Sequence, residues 1–248
     1  MTPKRKSPWI ERDDLIKNIS SFVRNNSDYF KNNAKRMSDL VEMSVYNEVL
    51  RYYKGLKYKV SVNRLGRNGN FRYKLSPNGL QQNFSYFSAT RSQRGQIIDS
   101  VEIYHNVKIQ SSHDNHIYYT ADISVVQPEG VITEEQKNKR RHSYIGNEAL
   151  ITFFEVKHLN PFPEILLSFN GIVLEVLPEF ITRKVALDKN GPHLTPAIVF
   201  TGLGSQFAQD MANKLTHRYG INIIRGLTSN KGKIPTFNGL NRFQGRHT

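Results

Sequence analysis

Two runs of β-branched and aromatic residues, IYYTADISVV (117–126) and ITFFEVK (151–157), constrain this chain more than any other feature. Their composition predicts strands of a buried sheet. Each nevertheless carries a carboxylate where a strand interior should be apolar: Asp122 in the first run and Glu155 in the second. Lys157 follows Glu155 by two residues, so the period of a strand puts both on one face. Burying a carboxylate is costly unless it is paired or holds a cation. Two carboxylates and an ammonium on neighbouring strands therefore predict a small polar site that can hold a divalent cation, with the lysine placed to orient or deprotonate a water. That is the chemistry of phosphodiester hydrolysis.

Net charge points the same way through its distribution. The chain has 248 residues and a formal charge of +14. Residues 49–98 hold 10 basic and no acidic side chains, and residues 211–248 hold 7 basic and none acidic. Residues 99–210 hold 14 acidic and 9 basic side chains. An acidic centre between cationic arms suits a polyanionic partner, which the arms attract and the centre acts upon. A generally basic protein without such a partner is the plain alternative. There is no cysteine, which excludes disulfides and thiolate metal sites. The N-terminus lacks an apolar signal region, and the greasiest stretch, residues 165–177, is broken by Asn170 and Glu175. A soluble, cytoplasmic protein without membrane contact is expected.

Asp122, Glu155 and Lys157, with Val156 between the last two, resemble the motif of the PD-(D/E)XK (restriction-endonuclease-like) nucleases. That family carries an Asp on one strand and an acidic-x-Lys triplet on the next, often with a further Glu from an upstream helix. Ala121 stands where the family has a proline, and the 33-residue step from Asp122 to Glu155 implies an insertion between the strands. By element order the resemblance covers roughly residues 38–225. It implies an α/β fold, a restriction-endonuclease-like core whose mixed central sheet is flanked by helices. It also implies Mg²⁺ or Mn²⁺ as cofactor, held by Asp122, Glu155 and the carbonyl of Val156. A DNA endonuclease of restriction, phage-defence or repair type is the expected function. A nucleic-acid-binding protein that keeps the fold without cleavage is the alternative.

The remaining pattern arranges itself around that core. Residues 1–9 form a basic leader, and 11–35 read as a helix with Leu15, Ile19, Phe22 and Val23 on one stripe. This stripe either packs on its own domain or forms the contact of a homodimer, the simplest way to cut two antiparallel strands. A second helix is predicted over 39–54, where Val41, Val45, Val49 and Tyr52 share a face with Glu48. By the resemblance Glu48 joins the metal site; otherwise it is a helix-edge residue that reaches solvent. Residues 57–98 predict an inserted module of basic β-hairpins, turned at the Asn-Gly pairs 68–69 and 78–79. Its Arg64, Arg67, Arg72, Lys74, Arg91 and Arg94 are candidate nucleic-acid contacts, interleaved with aromatics that either stack on bases or fill the core. Lys137, Lys139, Arg140 and Arg141, in the insertion at 128–148, either join them or form a solvated charge run.

A strand over 149–157 and a helix starting at Pro163 should follow, then a strand–helix–strand crossover over 193–225 that ends its helix at Gly220. The TGLGS turn at 201–205 has neither the third glycine of a dinucleotide fingerprint nor a P-loop lysine, and reads as a tight turn. His113 and His116 alone make no zinc site. Residues 226–248 lack periodicity and acids, and read as a mobile cationic tail.

Overall fold

The computed structural model describes residues 37–135, 141–227, 237 and 239–246. The predicted leader and helix at 11–35, with its dimer stripe, lie outside the described residues, as do Lys137, Lys139 and Arg140.

The architecture is α/β, a mixed central sheet flanked by helices. Helix α1 spans Met37–Gly55. Strands β1 (Lys59–Asn63), β2 (Tyr86–Gln93), β3 (Gln96–Gln110) and β4 (Tyr118–Val126) run antiparallel in that order. Strand β7 (Leu150–Lys157) pairs antiparallel with β4 on one edge. On its other edge it pairs parallel with β9 (Ala197–Phe200), which pairs parallel with β10 (Asn222–Ile224). Between β4 and β7 the chain makes the antiparallel pair β5 (Val131–Glu135) and β6 (Arg141–Ile145), and β6 lies parallel to the far end of β3. This pair accounts for the long step from Asp122 to Glu155.

Helix α1 buries Val41, Val45, Tyr46, Val49 and Tyr53, and packs on β1, β4 and β7. Tyr46 anchors it by donating a 2.7 Å hydrogen bond to the carbonyl of Ile103 in β3. Helix α2 (Pro163–Val176) starts with proline, whose missing N–H costs nothing in a first turn. The short α3 (Pro178–Ile181) follows it. Helix α4 (Gln206–Tyr219) is capped by the Ser205 hydroxyl and stops at Gly220, whose φ of 67° is the left-handed conformation that glycine tolerates.

Three departures from the sequence reading have local causes. FRYKL (71–75) forms no strand. Phe71 instead stacks on Phe87 at 4.7 Å and meets Tyr46 at 6.3 Å, so side-chain packing outweighs strand propensity. The hairpin module is therefore the edge pair β1–β2 joined by an irregular excursion, held where the Ser85 hydroxyl donates to Arg64 O and accepts from Arg72 N. HLTPAIVF is two strands, because Pro196 has no N–H to continue a ladder. Its first part, β8 (His193–Leu194), pairs with β11 (Arg242–Phe243). The end of the predicted mobile tail is consequently packed. Phe243 is buried against Phe180 and His193, and Arg246 pairs with Glu179 and donates to Asn147 O.

Candidate active site where β4 and β7 part

The antiparallel ladder between β4 and β7 reaches Ile123↔Phe154 and goes no further along β4. One step beyond on the same register, Asp122 lies opposite Glu155, so the two side chains share a face. There the backbone pairing gives way to a side chain: Asp122 Oδ2 accepts a 2.6 Å hydrogen bond from the N–H of Val156. In an antiparallel strand a residue's carbonyl lies on the same edge as its N–H, so Val156 O also faces this opening. The carbonyl of Lys157 points to the other edge, where it accepts from Thr201 N at 3.1 Å.

Lys157 joins the two carboxylates. Its Nζ lies 2.5 Å from Glu155 Oε2 and 3.7 Å from Asp122 Oδ2. Burial alone would lower its pKa, but the carboxylates of Glu155 and Asp122 outweigh that and hold it above the usual value. Burial, and then the charge of Glu155, push Asp122 up to about 8, against the pull of Lys157. So much negative charge in a half-enclosed place favours any added cation, a proton included. Tyr119 lines the site, its hydroxyl driven well above its ordinary range by burial and by Glu155 and Asp122.

The helix carboxylate nearest this group is Glu42, not Glu48. Glu42 raises the proton affinity of both Asp122 and Lys157 by its charge. Glu48 lies six residues further along α1, which at about 100° per residue turns it roughly 240° away. It pairs with Arg51, and burial raises its pKa against that partner. The expectation that Glu48 joins the site is corrected accordingly.

Glu42 lies against two residues that the sequence did not single out. His105 is buried, and its Nδ1 lies 2.8 Å from Lys74 O, an atom that can only accept. Its other nitrogen, Nε2, lies 3.4 Å from Glu42 Oε2 without a hydrogen bond, a contact that becomes an ion pair only when the ring carries both protons. Asn106 Nδ2 donates to the same carboxylate oxygen at 3.3 Å. Asn106 sits across from Asp122 on the β3–β4 ladder and has φ of 52°, a left-handed conformation in the middle of a strand. Backbone strain of this kind is stored where function needs it. The available signal was a His-Asn pair interrupting the apolar strand VEIYHNVKIQ.

Lys74 is likewise corrected. It is 2% exposed and donates to the carbonyls of Asn106 at 2.9 Å and Ser76 at 3.1 Å. Burial, helped by Lys108, lowers it to about 8. It pins the 64–85 excursion to β3 and presents no charge to a partner. Arg91 is half-buried, its guanidinium 5.2 Å from the Tyr58 ring. Arg64, Arg67, Arg72, Arg94 and Arg141 are exposed. The aromatics between them serve the interior: Tyr58 and Tyr73 are buried, and Tyr86 stacks on Tyr104 at 4.6 Å.

The residues present fit a hard cation. Glu155 Oε1 is buried and carries no hydrogen bond, and Asp122 and Val156 offer oxygens from the facing side. Among the described residues no three His, Asp or Glu side chains form a ready cage. The donor set is thus two carboxylates and a carbonyl, leaving places for water as Mg²⁺ prefers. The turn at 201–205 is a packing turn: a Cβ at Gly202 would fall 1.9 Å from Asn160 Oδ1. No described helix is long and apolar enough to cross a membrane. Compared with known proteins, the chain matches no family model, no curated protein and no solved structure.

Proposed function

We propose that this chain is a metal-dependent nuclease that hydrolyses phosphodiester bonds in DNA. One observation carries the reading: a single lysine ammonium contacts both Asp122 and Glu155 at the place where β4 and β7 separate. That geometry supports the resemblance to the PD-(D/E)XK nucleases. Asp122, Glu155 and the Val156 carbonyl would hold Mg²⁺ or Mn²⁺. The ion supplies Lewis acidity toward a phosphoryl oxygen when bound.

The chain's own groups do the rest. Lys157 is one-third exposed, so its ammonium reaches solvent as well as the carboxylates. It positions the attacking water and stabilises charge that develops on the phosphate. Glu42, held by the Asn106 amide, adds negative charge on the helix side and strengthens cation binding. The exposed arginines 64, 67, 72, 94 and 141 attract the phosphate backbone.

The test is plasmid cleavage with Mg²⁺, Mn²⁺ or EDTA. Lys157→Ala should lose at least about a hundredfold in rate, the scale of one lost electrostatic group. DNA binding should persist, because one cation of many is removed. Cleavage at the wild-type rate by Lys157→Ala would retire the catalytic assignment. Binding without cleavage by the wild type would leave a nucleic-acid-binding protein on a nuclease-like fold.

A further inference from the structure

The end of the β2–β3 hairpin leaves the sheet. Pairing of β1 with β2 stops at Lys59↔Thr90, so among the described residues no strand lies outside residues 91–93. Pairing of β3 with β4 starts at Glu102↔Val126, so no described strand lies on the other edge of residues 96–101. Residues 91–101 are therefore a two-stranded ribbon, closed by Arg94 and Gly95, whose φ angles of 52° and 83° make the tight turn that suits twisted strands. A register shift between Arg91 and Ser92 leaves Ile98 as an extra residue opposite them. Such a bulge breaks the strict alternation of faces and increases the twist.

Two large apolar side chains stand out on this ribbon, Ile97 at 68% and Ile98 at 50% exposure. Among the described residues nothing packs over them. Their surroundings are cationic: Arg94 at the turn, exposed Lys57 and Lys59 at the base, and no acid anywhere from 49 to 98. The nearest carboxylate, Asp99, is turned to internal partners, accepting from the Tyr58 hydroxyl and lying 3.6 Å from His193 Nε2. A second copy of the chain would bring like charge against like charge, whereas a polyanion is matched.

We propose that this ribbon enters a groove of duplex nucleic acid and wedges Ile97 and Ile98 against or between base pairs, kinking the duplex. The inference rests on the nucleic-acid part of the function proposed above. Arg94 and the basal lysines neutralise the flanking phosphates while the isoleucines take the apolar base faces. The cost of unstacking is offset by added contact along the bent duplex.

The test uses the full chain in EDTA with a duplex carrying 2-aminopurine and a fluorophore at each end. Wild type should raise the 2-aminopurine emission and shorten the end-to-end distance. The double variant Ile97→Ser/Ile98→Ser should bind about tenfold more weakly, on the scale of lost apolar contact, and abolish both signals. Arg94→Ala should reduce the salt slope by about one while bending is kept. All three positions are exposed, and unchanged thermal unfolding verifies that the variants fold. A double variant that bends and unstacks DNA as wild type does would overturn the proposal. So would a double variant that only dissociates an oligomer. Absence of any binding by wild type removes the nuclease reading as well. A wild type that bends DNA but never cuts it with Mg²⁺ supports the ribbon and removes only the nuclease.

Discussion

At the scale of single residues, the site divides into what strand periodicity encodes and what packing adds. Asp122, Glu155 and Lys157 were legible because a period of two and an apolar background expose any buried charge. Glu42 and Glu48 were harder to separate. The stripe Val41, Val45, Val49 identifies the buried side of α1, yet a carboxylate at either margin satisfies it equally. Only the position of Asp122 across the helix decides between them. Glu42→Gln should therefore lower cleavage about tenfold and raise the Mg²⁺ requirement, as lost charge near a cation does, whereas Glu48→Gln should cut like wild type. Asn106 offers a second separation of roles. Asn106→Gly keeps the left-handed backbone and removes the side-chain contacts to Glu42 and His105, so it should stay folded and lose about tenfold in rate. Asn106→Ala adds backbone strain of about 1 kcal/mol, visible as a lower urea midpoint. If Asn106→Gly cuts at full rate, the side chain serves only to shape the strand.

Whole elements show where local signals stop. Helices α1, α2 and α4 and strands β4, β7 and β10 were readable from periodicity and from end signals such as Pro163 and Gly220, whereas β9 was read as one strand with β8 across Pro196. Strand β11 was not readable, because two residues carry no period. It exists through tertiary partners: Phe243 packs into the interior and Arg246 binds Glu179. Its partner β8 carries His193, which is buried with Tyr53 3.0 Å from Nδ1. Burial lowers His193 to about 4; Asp99 opposes this shift and Arg91 adds to it. In the unfolded chain the ring titrates near 6.5, so between about 6.5 and 4 the unfolded state binds the extra proton. Stability should thus fall as pH drops through that window, and urea titrations at stepped pH should show it. His193→Gln should flatten this part of the profile; an unchanged profile would assign the loss to other groups.

The whole molecule places its opposite charges apart, acidic at the β4–β7 opening and basic along the β1–β2 edge and the ribbon. Sequence alone located the cationic segment, but not its division of labour. Lys74 was spent on the interior, Arg91 on an aromatic ring, and the two isoleucines left outside drew no notice in a chain read for charge. Strand β3 connects these regions without a break from Gln96 to Gln110. Ile97 at one end and Asn106 beside Asp122 are nine residues apart, at most about 30 Å at roughly 3.3 Å per residue, because the bulge at Ile98 shortens the span. A strand hydrogen-bonded along much of its length resists stretching, so β3 works as a ruler. With duplex DNA rising about 3.4 Å per base pair, the kink and the cut should lie no more than about nine base pairs apart. Mapping both on one labelled duplex, the kink by 2-aminopurine position and the cut by product length, would read that spacing. Two residues inserted on each side of the Arg94–Gly95 turn should move the kink outward by about two base pairs and leave the cut where it was.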